Sequence, residues 1–152
     1  MIRIGEYNDL RILRMTTVGL YLGDEEGEDV LLPSKYCPER YSIDETLRVF
    51  VYRDHDEKKI ATNLPPKILL HQFAFLKVTA VSSVGAFVDW GMVKNLLVPF
   101  KEQRLKMEVD RWYIVYLTLD EKTDRLYASN KIEKFLQNEN VTVTEGEEVD
   151  LL

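Results

Sequence analysis

Val84-Gly85-Ala86-Phe87-Val88 and, 66 residues before it, Val18-Gly19-Leu20-Tyr21-Leu22 share one order of residue classes. The same offset carries Val30-Leu31-Leu32-Pro33 onto Leu96-Leu97-Val98-Pro99, and Leu10-Arg11-Ile12 onto Leu76-Lys77-Val78. It also carries Leu47 to Tyr52 with Asp54 onto Tyr113 to Thr118 with Asp120, and a slip of one residue then brings Ala61-Thr62 onto Ala128-Ser129. Glycine and proline mark backbone geometry rather than greasiness, so an offset that holds through both is not a chance alignment of apolar runs. The chain reads as one short unit copied head to tail. Each copy lies near the lower size limit of a self-supporting fold.

The second copy offers five short β candidates: Phe73 to Val81, Ala86 to Asp89, Asn95 to Pro99, Trp112 to Leu119 and Leu126 to Ser129. The first copy offers the same five, and in it Leu47, Val49 and Val51 alternate with Arg48, Phe50 and Tyr52, the period of a half-buried strand. Helix is scarce, confined to a turn or two in Lys101 to Val109 and a closing segment over Lys131 to Gln137. The expected class is all-β, two tandem five-stranded antiparallel barrels of the OB type with short helical inserts. A small sandwich or an SH3-like barrel is the competing architecture. Asn63-Leu64-Pro65-Pro66 punctuates the join. The expected division is a first barrel over 1–64, a proline linker over 65–68, a second barrel over 69–136, and an acidic linker opening a further module over 137–152.

Composition narrows the function. With 45% hydrophobic and 30% charged residues, the 152-residue chain buries a core and is not disordered. A single cysteine, Cys37, rules out an internal disulfide framework and fits a reducing compartment, so the expected location is cytoplasmic. No apolar run approaches membrane-spanning length, so no membrane partner is expected. The net charge of −6 argues against indiscriminate coating of a polyanion, yet it is unevenly spread: −4 over residues 1–66, +3 over 67–134 and −5 thereafter. The second copy is the basic one.

If Ala86 and Val88 face a core, Phe87 faces outward, and Tyr21 holds the matching place in the first copy. Exposed rings on a sheet stack bases, while rings in strands are also commonly core. Lys77, Lys94, Lys101, Arg104, Lys106 and Arg125 are the candidate phosphate contacts of the second copy. Asp24-Glu25-Glu26-Gly27-Glu28-Asp29 follows Tyr21 and repels phosphate, which makes the first copy a poor site by itself. Asp54-His55-Asp56 reads as a hairpin turn rather than a catalytic cluster, His71 and Cys37 have no nearby partners in sequence, and no phosphate loop or zinc-hydrolase motif is present. No catalysis, metal or cofactor is expected.

With Val84-Gly85-Ala86-Phe87-Val88-Asp89-Trp90-Gly91, Asn95 to Pro99, Asp120 and Arg125 to Ser129, the second copy resembles an S1 RNA-binding domain. More narrowly, Asp89-Trp90-Gly91, Leu96 to Gln103 and the doubled unit resemble the conserved virulence factor B family of bacterial proteins. That resemblance implies tandem S1 modules from the N-terminal portion of a longer protein. It further implies single-stranded RNA as partner, with Phe87, Asp120 and Arg125 at matching site positions; Lys77 and Lys94 join them on charge alone. The family's first aromatic falls at Val84 and its third-strand His at Val98, while the first copy keeps only Tyr21 and Asp54. Asp120, being anionic, is read as orienting Arg125 and capping a turn. The resulting expectation is weak, low-specificity RNA contact through Phe87, Lys77, Lys94, Asp120 and Arg125, with Tyr21 a lesser position. The alternative is an interaction module that positions other RNA-binding domains or docks a protein.

Overall fold

The computed structural model describes residues 1–138. Most of the expected acidic segment over 137–152 lies outside the described residues. Ten strands follow in order: β1 Glu6–Thr16, β2 Gly19–Gly23, β3 Asp29–Pro33, β4 Thr46–Arg53, β5 Lys59–Thr62, β6 Phe73–Val81, β7 Gly85–Val88, β8 Leu96–Pro99, β9 Trp112–Asp120 and β10 Arg125–Ser129. A short helix, α1, spans Glu133–Asn138. The first five strands close into a barrel in the order β1-β2-β3-β5-β4, and the second five form a sheet in the order β10-β9-β6-β7-β8. The fold is therefore nearly all-β and of OB type.

The two halves share their registers. Ile12 pairs with Leu22 as Val78 pairs with Val88, and Leu10 pairs with Leu47 as Leu76 pairs with Tyr113. A bulge interrupts β1 between Ile12 and Arg14 and β6 between Val78 and Ala80. It bends each long first strand so that one end pairs with the second strand and the other with the fourth. Gly19 sits opposite Pro33 and Gly85 opposite Pro99. A Cβ on either glycine would lie 2.1 Å from the Leu32 carbonyl oxygen or 2.4 Å from that of Val98. Only glycine permits this approach.

Closure distinguishes the halves. In the first, a single parallel bridge, Leu31 to Ile60, joins β3 to β5, so one seam of the barrel departs from the antiparallel expectation. In the second, β8 and β10 run side by side with no ladder between them. The sequence-based strand limits hold to within a residue, but Lys101 to Val109 makes only a 3-10 turn over Phe100–Glu102. There the Gln103 side chain accepts from Met107 N at 2.8 Å and donates to the Val98 carbonyl at 3.0 Å, competing with helical pairing.

One core cluster lies wholly within the first barrel, built on residues such as Ile12, Leu22, Leu32 and Val51. The other reaches across the halves: Phe50 and Tyr52 of β4 pack with Trp90, Leu76, Val98 and Leu117. Val49, Phe50, Val51 and Tyr52 are consequently all buried, and the half-buried alternation expected of this strand gives way where its outer face meets the second half. Among the described residues no helix is long and apolar enough to cross a membrane.

Candidate nucleic-acid interface

Strand alternation places the two aromatics as expected. Ala86 and Val88 are fully buried and Phe87 between them is half-buried on the outer face, as is Tyr21 between Leu20 and Leu22. Their surroundings differ. Arg14, the β1 partner of Tyr21, lays its guanidinium 4.3 Å above the phenol ring and is itself held by Asp29 at 3.4 Å. The residue paired with Phe87 in β6 is Ala80, whose methyl cannot cover a ring in this way.

Phe87 lines a cleft of about 400 Å³ that follows the unladdered seam between β8 and β10. Leu97 and Tyr127, the counterparts of Leu31 and Ile60 that bridge the first barrel, both form its walls. A seam that is zipped in one copy is thus an opening in the other. Leu96, Leu97 and Pro99 are the β8 residues at the cleft, while Val98, where the resemblance puts the family's third-strand His, is fully buried. Period-two geometry requires this, since Val98 shares the inward phase with Leu96.

Of the expected site residues, Phe87, Lys94, Asp120 and Arg125 all line the cleft. Lys77 does not: it lies on the outer face of β6 opposite Trp112 and pairs with Asp110 at 3.7 Å. Tyr21 belongs to the first barrel. Arg53, Lys101, Tyr52 and Glu57 also line the cleft, which therefore holds four cations and two carboxylates along with Phe87. Burial raises the phenol pKa of both Tyr52 and Tyr127, keeping these wall residues neutral hydroxyls.

The first half builds part of this site. Arg53 donates from Nε to the Asp124 carbonyl at 3.0 Å and from Nη1 to the Glu57 carbonyl at 2.7 Å, pinning the β4–β5 turn to the β9–β10 turn. Lys94 Nζ donates to the Asp54 carbonyl at 3.1 Å and to Glu57 Oε2 at 2.7 Å, while Arg125 Nε lies 3.5 Å from Glu57 Oε1. Trp90 Nε1 donates to the Lys94 carbonyl at 2.6 Å and so fixes the loop that carries the lysine. Asp120 caps its turn, accepting from Lys122 N at 2.9 Å, whereas the carboxylate that orients Arg125 is Glu57. Sequence position gave no sign of Glu57 or Arg53, because both come from the other copy. Asp54-His55-Asp56 is a turn, with Asp54 Oδ1 accepting from Asp56 N and Lys58 N.

Residues 4–64 match the family model of the S1 domain. The chain is 31% identical over 132 residues to the protein YitL of Bacillus subtilis (strain 168), a match spanning 86% of this chain and 41% of that protein. It also superposes, with a TM-score of 0.71 and 21% identity, on a multidomain protein with nucleic acid binding domains from Streptococcus pneumoniae TIGR4, covering 89% of this chain and 48% of that one. The second likeness is one of fold. The chain spans less than half the length of either relative.

Proposed function

We propose that this chain binds single-stranded RNA, weakly and with low sequence specificity, in the cleft beside Phe87. The carrying observation is the open β8/β10 seam, where an uncapped aromatic ring and four cations line one cleft. A base stacked on Phe87 gains about 1–3 kcal/mol whatever its identity, and Lys94, Lys101 and Arg125 stand where phosphates on either side are met. One ring and a few cations give modest affinity. The S1 match, the nucleic acid binding domains of the Streptococcus protein and the resemblance to the virulence factor B family support the same reading. It goes with a division into barrels over 1–64 and 69–136, a bacterial cytoplasmic setting and no catalytic role.

A second role falls to the first barrel, that of an interaction module. Arg53 and Glu57 grip the second half, and the ring of Tyr21 is already occupied by Arg14. In this reading it positions the RNA-binding half and docks further domains or a protein partner.

The test is fluorescence anisotropy of a short labelled single strand titrated with the protein at low and moderate salt. Phe87→Ala is expected to weaken binding by about 5- to 100-fold, the affinity equivalent of one lost stacking contact. Wild-type affinity in that variant would remove the reading.

A further inference from the structure

Glu57 lies in the β4–β5 turn with a left-handed backbone, φ 62°, and the turn is stiff. Its amide donates to the Asp54 carbonyl at 2.9 Å, its carbonyl accepts from Arg53, and Asp54 Oδ1 caps the amides on both sides of it, Asp56 and Lys58. A rigid turn therefore aims this carboxylate at the second half. Its two oxygens are divided between two cations of the cleft, Oε2 on Lys94 at 2.7 Å and Oε1 near Arg125 at 3.5 Å. The non-bridging oxygens of a phosphodiester are divided in the same manner when one phosphate is shared between a lysine and an arginine. The side chains of Glu57 and Lys94 are about a third exposed and that of Arg125 nearly two thirds, so the pair is within reach of an incoming anion.

We propose that Glu57 is an affinity-determining residue of the cleft, an internal anion that occupies Lys94 and Arg125 until a phosphate of the ligand displaces it. The proposal rests on the cleft reading above. In the free protein Glu57 keeps both cations oriented beside Phe87; on binding, its charge opposes the phosphate. A strand gains less from these two cations than their number implies, and the cleft discriminates against anions too weak to compete with a tethered carboxylate.

Glu57→Gln keeps the shape of the side chain and an oxygen for Lys94 but removes the charge. Titrating a labelled single strand over a series of salt concentrations, this variant is expected to bind roughly three- to tenfold more tightly at low salt. The slope of log affinity against log salt is expected to steepen by about 0.7 for each phosphate newly met. Lys94→Met made in the Glu57→Gln background is expected to return most of the gain, which a mere loosening of the turn would not do. Unchanged or weaker binding by Glu57→Gln with an unchanged slope overturns the proposal. If Phe87→Ala weakens binding and Glu57→Gln does nothing, the cleft stands and the role of Glu57 falls. If Phe87→Ala has no effect in either background, the cleft reading falls first.

Discussion

The rings of Phe50 and Trp90 meet edge to face across the two halves of the molecule, centroids 5.7 Å apart at 79°. Tyr52 meets the same indole at 5.8 Å and 87°, and Trp90 is 2% exposed. The two halves share part of their cores. Truncation of Trp90 therefore removes apolar contact from both. Trp90→Ala is expected to cost about 3–5 kcal/mol, and the wild-type chain to unfold in one transition. Urea unfolding followed by circular dichroism checks this; two separated transitions in the wild-type protein would show that the halves are energetically independent.

The glycine pair gives a sharper test of the duplication. Gly19 and Gly85 adopt φ of 149° and 151°, and an added Cβ meets backbone rather than a movable side chain in both. Gly85→Ala is expected to destabilise by at least about 2 kcal/mol, with Gly19→Ala costing a similar amount. A melting temperature within a degree or so of wild type for either variant would mean that the strand can shift to admit a methyl, contrary to the close approach described.

Much of this architecture was legible in advance, and the reason is local. The offset of 66, kept through Gly85 and Pro99, encodes a strand pair whose register repeats that of Gly19 and Pro33. The outward placing of Phe87 follows from the pleat alone. What was not legible is long-range. Period-two patterning says which side chains leave a barrel, not what covers them afterwards, so it sets Phe50 and Tyr52 on the outer face without the second half that buries them and says nothing of Glu57. Charge counting along the chain is blind to which side of the sheet a lysine occupies, so Lys77 and Lys94 read alike in the sequence although only Lys94 lines the cleft. The turn or two expected in Lys101 to Val109 shortens to a 3-10 turn over Phe100–Glu102, beyond which the Gln103 side chain takes the Met107 amide and the Val98 carbonyl.

Glu102 supplies a pH prediction. It is 7% exposed, and burial by itself raises its pKa, but donation from Ser129 Oγ at 2.7 Å and Lys134 Nζ at 3.0 Å brings it below the ordinary glutamate value of 4.5. A depressed carboxylate stabilises the folded state above its unfolded pKa, and that contribution is lost as pH falls through the lower, folded value. Lys134 lies on α1, whose Phe135 stacks 4.1 Å from Tyr116, so the pair ties the helix to the sheet. Glu102→Gln is expected to lose about 1–3 kcal/mol at neutral pH. The gap between variant and wild type should shrink in acid, below the glutamate range. Urea midpoints at neutral and acidic pH measure this, and a gap that widens in acid would refute the assigned sign.

Tyr21 and Phe87 occupy equivalent positions, yet different binding behaviour is expected of them. The Arg14 guanidinium covers one face of the Tyr21 ring, Asp29 fixes that arginine, and the seam beside it is closed by the Leu31–Ile60 bridge. A base would have to displace a cation held by ring and carboxylate together, close to the acidic loop over 24–29, which repels phosphate. Tyr21→Ala is accordingly expected to leave the affinity for a short single strand within about twofold of wild type, while costing about 0.5–1 kcal/mol of stability through the lost cation–π contact. Arg14→Ala separates the two causes. It uncovers the ring but leaves the seam closed, so it too should fail to strengthen binding if closure is decisive. A loss on Tyr21→Ala comparable with that on Phe87→Ala would show that an open seam is not what makes a ring in this fold available to a base.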